Sequence, residues 1–131
     1  MVTHTSGFYQ IADVAPFRAP DQLDVQQLAF FDAGEICQFT LAPNRTGRAI
    51  RHATVTELWF VHSGTGEVWL RGVADDQPRQ LAPGDYFIVT AGTDFQVCNQ
   101  STDPLRFLAI TTPRFPKDSD AEITLVDDAC W

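Results

Sequence analysis

Few side chains in this 131-residue sequence suit acid–base, nucleophilic or metal chemistry, and their spacing narrows the choice further. The histidines are His4, His52 and His62, and the thiols are Cys37, Cys98 and Cys130. No C-x-x-C pair or Cys/His zinc spacing links them, so the cysteines read as reduced, structural thiols. There is no G-x-S-x-G elbow, no phosphate-cradling glycine loop and no G-x-G-x-x-G opening a helix. Lys117, the only lysine, lies in the loop-like PRFPKDSD, which argues against Schiff-base chemistry. What remains is Glu57, in ELWFVHSG, with His52 a short step before it. A carboxylate held beside Trp and Phe is disfavoured as an anion unless a cation compensates, which is how general acids and bases are tuned toward neutrality. Histidine is the side chain that titrates nearest pH 7. Glu57 and His52 are therefore the candidate proton-transfer pair, with a salt-bridged structural pair as the alternative.

Arginine supplies a second group. Arg45, Arg48 and Arg51 recur at three-residue steps in NRTGRAIRH, immediately before His52. Guanidinium suits bidentate capture of carboxylate or phosphate. Arg51 is thus expected at the mouth of a cavity, facing an anionic ligand, with Arg106 in LRFLAITT as a second candidate. The other reading is that these arginines are solvated charges offsetting an acidic surface.

The elements that must position these groups are short and β-like. Runs rich in branched and aromatic residues, LAFF (28–31), EICQFTL (35–41), ELWFVH (57–62), EVWLRG (67–72), DYFIVT (85–90), DFQVCN (94–99) and LRFLAITT (105–112), read as strands. Gly-, Pro-, Asp- and Ser-rich turns separate them about every ten residues. No long window sustains a helical stripe; PDQLDVQQLAFF gives at most a turn of helix running into a strand. Residues 1–25 read as an arm wrapping the barrel, 35–112 as its core, and 113–131 as a loop and a last strand, EITLV. If Glu57 faces inward, period-two alternation takes Trp59 and Val61 inward and His62 outward. Phe95, Val97 and Asn99 form a second inward row.

Hydrophobic residues make up 44% of the chain, including ten Phe and three Trp, enough for one core, so residues 1–131 are expected to be a single domain. A formal net charge of −8 argues against nucleic acid, whose affinity depends on clustered Lys and Arg. No basic-then-apolar leader is present and no apolar run nears the roughly 20 residues of a membrane span. A soluble cytoplasmic protein without a membrane partner is expected.

The stretch from Gly84 to Asn99, GDYFIVTAGTDFQVCN, follows the second signature of the cupin barrels, G-x5-P-x-G-x2-H-x3-N, at every spacing. Thr90 stands at its proline and Phe95 at its histidine. In the first signature, G-x5-H-x-H-x3,4-E-x6-G, Glu57 and Gly64 match. The four-residue spacing places His52 at the second histidine and Ile50 at the first, while Gly47 does not fit the opening glycine. Residues 35–112 thus resemble a small single-domain cupin, which implies an all-β jelly-roll, or double-stranded β-helix, barrel.

The resemblance also implies a transition metal held by three imidazoles and a carboxylate. Ile50 and Phe95 have no lone pair, and two protein donors rarely hold such a metal tightly. No cofactor is therefore expected beyond a divalent transition metal weakly held by His52 and Glu57; His62 points away, and His4 lies in the arm. The family hosts many chemistries, so fold alone does not assign one. The expected function is a small-molecule-binding barrel acting as a metal-independent isomerase, lyase or cyclase through Glu57 and His52. Arg51, Trp59, Phe95, Val97 and Asn99 are the expected ligand contacts and an anionic or aromatic molecule the expected ligand. A non-catalytic sensor or accessory cupin is the alternative, and a metal-dependent dioxygenase with an atypical site the third. Small cupins pair through sheet edges and swapped terminal strands, so a homodimer is expected, with ITLVDDACW and its Trp131 as a contact.

Overall fold

The structure, a computed structural model, describes residues 5–131, the side chain of Ser119 excepted; His4 lies outside the described residues. Turn residues cut the chain into twelve short strands among those residues. These are β1 (Phe17–Arg18), β2 (Asp24–Phe31), β3 (Gly34–Leu41), β4 (Arg45–Thr46), β5 (Ile50–His52), β6 (Thr56–Ser63), β7 (Gly66–Leu70), β8 (Arg79–Leu81), β9 (Tyr86–Val89), β10 (Asp94–Asn99), β11 (Leu105–Thr112) and β12 (Ile123–Leu125). One turn of helix, α1 (Ser119–Glu122), leads into β12. One sheet runs β1-β2-β3-β11-β6-β9 and the other β12-β5-β10-β7-β8, with β4 also on β10. The molecule is an all-β jelly roll, a barrel of two antiparallel sheets.

Side-chain alternation explains why the sheets face each other. In β11, Leu105, Phe107, Ala109 and Thr111 are buried while their neighbours are not, and β6 buries Glu57, Trp59 and Val61 in the same way. Trp59 is the centre of the resulting core. Its ring meets Phe39 at 4.6 Å, Phe107 at 5.0 Å, and Phe87 and Phe95 at 5.5 Å between centroids. Edge and stacked pairs of this kind each contribute about 0.5–1.5 kcal/mol beyond their area. His62 points outward as alternation requires, and its Nε2 lies 2.7 Å from Gln38 Oε1. Gln38 donates in turn to Gln26 Oε1 at 2.8 Å, and Gln26 donates to the carbonyls of Ile11 and Val14. This polar chain fastens the N-terminal segment to the outside of the sheet.

The signature glycine Gly64 has a physical reason. Its φ of +81° is left-handed, and a Cβ there would clash with the Pro104 carbonyl oxygen.

Several boundaries differ from the sequence reading. β2 begins at Asp24 rather than Leu28, because Asp24 and Val25 pair with Thr40 and Phe39 on one side and with β1 on the other. Among its described residues the expected arm contains a 3-10 turn at Ile11–Asp13 and β1, and it runs into the start of β2. The short strands β4, β5 and β8 were not anticipated, since two or three residues carry no readable period.

Candidate functional site

The inner faces of β2, β3, β5, β6 and β11 enclose a cavity of about 550 Å³, closed by the segment Phe17–Gln22 on one side and by Phe115 on another. Its wall is aromatic and aliphatic, with Phe39, Trp59 and Ile50 among the lining residues. Into this apolar wall project His52, Glu57, Glu35, Asp21 and Thr111, all buried.

Alternation in β5 turns Ile50 and His52 inward and Arg51 outward. His52 and Glu57 are only 3% and 2% exposed, and His52 Nε2 lies 3.0 Å from Glu57 Oε1. Trp59 Nε1 donates to the same Glu57 oxygen at 3.3 Å. On the other side of the ring, Nδ1 lies 3.3 Å from Glu122 Oε2. That contact is close enough for charge attraction but misaligned for a hydrogen bond, so Nδ1 is buried without a hydrogen-bond partner. Glu122 comes from α1 and is anchored by the backbone N–H groups of Thr54 and Val55 at 3.1 Å and by the Thr54 hydroxyl. The imidazole therefore lies between two carboxylates supplied by distant parts of the chain.

The electrostatics follow from that placement. Burial lowers the pKa of His52, but the hydrogen bond to Glu57 and the charges of Glu57, Glu122 and Asp21 outweigh it, so the ring holds its proton above the ordinary value. Burial raises Glu122, yet the Thr54 and Val55 hydrogen bonds and His52 bring its carboxyl below the usual range. For Asp21 burial prevails: its carboxyl is pushed up to about 7, with Glu57 adding to the effect and the Leu23 N–H and His52 opposing it. Burial pushes the Cys37 thiol up as well, which keeps it protonated and unreactive.

Several expected ligand contacts have other places. Arg51 is outside the cavity, with its Nε 2.6 Å from Asp94 Oδ1, and Arg71 Nε reaches the other Asp94 oxygen at 2.7 Å. Burial works against ionisation of Asp94, but these two guanidinium bonds hold its carboxyl below the usual range. Arg48 lies 3.5 Å from Asp127, and Arg106 is on the outward-facing register of β11. Val97 is in the hydrophobic core rather than the cavity wall. Asn99 is a structural latch: its Nδ2 donates to the carbonyls of Leu41, Ala42 and Asp103, and its Oδ1 accepts from Ser101. Phe95 stands behind the cavity, stacked 6.0 Å from the His52 ring at 19°. Of the expected set, only Glu57, His52 and Trp59 line the cavity.

Asp21, Glu35, Thr111 and Glu122 were missed. Two had a readable signal. Glu35 shares the inward register of Cys37 and Phe39, and Thr111 that of Phe107 and Ala109. Asp21 and Glu122 lie outside regular strands and had none.

Ile50 and Phe95 take the places of two imidazoles, and the nitrogen of His52 that meets Glu57 is engaged with it. Among the described residues no group of three His, Cys, Asp or Glu side chains is arranged to hold a metal ion. This donor set does not fit a three-imidazole, one-carboxylate centre.

Fold and site together define a small antiparallel double-stranded β-helix with an acid-lined cavity between its sheets. A family model for the cupin domain matches residues 37–111, more than half of the chain. The protein belongs to the cupin family. Among curated protein sequences, none matches it. Solved structures share the fold. KdgF from a Halomonas species is 18% identical with a TM-score of 0.71, the match covering 88% of this chain and 99% of that one. PAC13 of Streptomyces, solved with uridine, is 12% identical with a TM-score of 0.71, covering 95% and 94%. A predicted oxalate decarboxylase from Thermotoga maritima is 16% identical with a TM-score of 0.68, covering 81% and 98%. Identities this low carry the fold and no activity. No helix among the described residues is long and apolar enough to cross a membrane.

Proposed function

We propose that the cavity binds a small organic molecule and that Glu57 and His52 move a proton on it without a metal, in an isomerisation, elimination or cyclisation. The observation that carries this reading is the His52–Glu57 pair, 3.0 Å apart and nearly fully buried on the wall of a largely aromatic and aliphatic cavity of about 550 Å³. That volume suits a small ligand held by apolar walls and a few polar groups. Glu57 accepts two N–H groups on Oε1, which leaves its second oxygen as the base; the His52 ring, with its raised pKa, supplies a proton nearby. A proton taken by Glu57 and one returned by His52 leave the pair with its total charge unchanged, so turnover needs no external acid.

The test is deuterium uptake. Ligands found by thermal-shift screening are incubated with the protein in D2O and read by mass spectrometry. Glu57→Gln is expected to abolish label uptake even at ligand concentrations that saturate the variant. If bound ligands take up no label and are not converted, the protein is the non-catalytic binding cupin instead.

A homodimer is also inferred, through the outer face of the first sheet rather than the C-terminal strand. Ile36, Ile110, Leu58 and Ile88 stand in one cross-strand row, and Leu108, Phe60 and Tyr86 in the next. Phe60, Tyr86, Ile88 and Ile110 are all exposed, forming a large apolar surface of the kind that marks an interface. Trp131, by contrast, is bound through its own backbone to Gln96 of the same chain. Light scattering at micromolar concentration should give a dimer that Ile88→Glu splits; a wild-type monomer would refute it.

A further inference from the structure

The charges around the cavity do not match an anionic ligand. Three carboxylates line it, Asp21, Glu35 and Glu57, and Glu122 stands behind His52. Two cationic side chains line it as well. His52 is already shared by Glu57 and Glu122, and Arg18 is a half-solvated rim residue paired with Asp24 at 2.7 Å. The arginines expected to capture an anion are committed elsewhere, Arg51 and Arg71 to Asp94 and Arg48 to Asp127.

The acidic groups are arranged as well as numerous. β11 pairs with β3 and β6 so that Thr111 is opposite both Glu35 and Glu57. Glu35, Thr111 and Glu57 thus form one row across three strands on the inner face. Thr111 Oγ1 is buried, lines the cavity and has no hydrogen-bond partner. Glu35 accepts one backbone N–H, from Phe115 at 2.9 Å, and Asp21 accepts one, from Leu23 at 3.1 Å. A carboxylate has about four acceptor sites, so each keeps capacity that no protein donor fills. Buried acceptors left this way are costly, and a donor-rich cation is what satisfies them. The rings of Trp59 and Phe39 beside the row add faces to which a cation is attracted.

We infer that the cavity selects a small organic cation, an amine or amidine on an aromatic or aliphatic body, with its N–H groups on the Glu35–Thr111–Glu57 row and its body against Trp59 and Phe39. This rests on the reading of the cavity as the ligand site and fixes the charge of what enters it. Asp21 faces the same space, and a cation there favours its ionised form.

The experiment is calorimetric titration of the full chain near neutral pH with four probes of one size: benzylamine, benzamidine, benzyl alcohol and benzoate. The two cations are expected to bind about tenfold or more tightly than benzyl alcohol, with benzoate weakest. Glu35→Gln, which keeps an acceptor for the Phe115 N–H, should weaken the cations about tenfold and leave benzyl alcohol unmoved. Thr111→Val, close in shape, should weaken them several-fold. Benzoate binding as tightly as benzylamine overturns the charge selection while leaving the cavity as a ligand site. Cation affinities unmoved in both variants overturn the assigned row. Absence of binding by all four probes overturns both the selection and the ligand-site reading.

Discussion

Asp21→Asn should make the protein more stable, and by an amount that grows with pH. Asp21 is 8% exposed, and burial pushes its carboxyl from an ordinary 3.8 to about 7. A carboxyl raised in the folded state binds its proton more tightly there than in the unfolded chain. Its contribution is fully present below the unfolded value of 3.8 and is lost as pH rises through the folded value of about 7. Each pH unit between the two removes ~1.4 kcal/mol, so the roughly three units amount to about 4 kcal/mol. Asparagine mimics the protonated acid and titrates nowhere, so the variant escapes this loss. His52, also raised, contributes with the same sign, stabilising fully below its ordinary 6.5 and losing that effect as pH climbs through its folded value. Asp94 and Glu122, both lowered, act oppositely, their contributions being lost as pH falls through their folded values. These backgrounds largely cancel when variant and wild type are compared at each pH. Urea unfolding from pH 4 to 8 should therefore give a variant-minus-wild-type difference that rises by about 3–5 kcal/mol, most of it below pH 7. Parallel stability curves would refute the argument, because a flat difference means that Asp21 carries its charge in the folded state at no penalty.

Trp59→Ala removes the ring on which four aromatic contacts converge and should destabilise by about 3–5 kcal/mol in the same urea assay; a loss under 1 kcal/mol would place the core elsewhere. Asn99→Ala orphans three backbone carbonyls and should cost about 2–4 kcal/mol without changing affinity for any cavity ligand, whereas altered affinity would return Asn99 to the site. Arg51→Ala should leave ligand affinity unchanged, since its partner is Asp94; a drop in affinity would restore the mouth role. The double substitution Ile50→His with Phe95→His restores the missing imidazoles and should retain a first-row transition metal after dialysis, and failure to do so would mean that the backbone no longer aims those positions at one point.

The fold was legible because its signature glycines and the period-two runs report local geometry. Gly64, Gly84 and Gly92 all have positive φ, a requirement that leaves a visible mark in the chain. Alternation likewise put Glu57 and Trp59 inside and His62 outside. The site was only half legible. Glu57 and His52 could be found from a single motif, but what brings the other three carboxylates to them is long-range: the pairing of β11 with β3 and β6 for Glu35, the Phe17–Gln22 segment for Asp21 and α1 for Glu122. The placement of Arg51 outside the cavity has a nearer reason: with Ile50 and His52 inward, strand geometry turns the residue between them outward. The latch made by Asn99 was not legible, because a buried amide looks the same in sequence whether it meets a ligand or three carbonyls.

The anchoring of Glu122 to Thr54 spans 68 residues of chain. During synthesis His52 and Glu57 leave the ribosome with most of the barrel still to come, and the carboxylate that flanks the other face of the imidazole follows only with α1 and β12. Without α1 the imidazole would lose one of its two flanking carboxylates, and the backbone N–H groups of Thr54 and Val55 would lose their acceptor. Glu57 thus sets most of the proton-holding character of His52, and Glu122 adds to it only through the docking of α1 and β12.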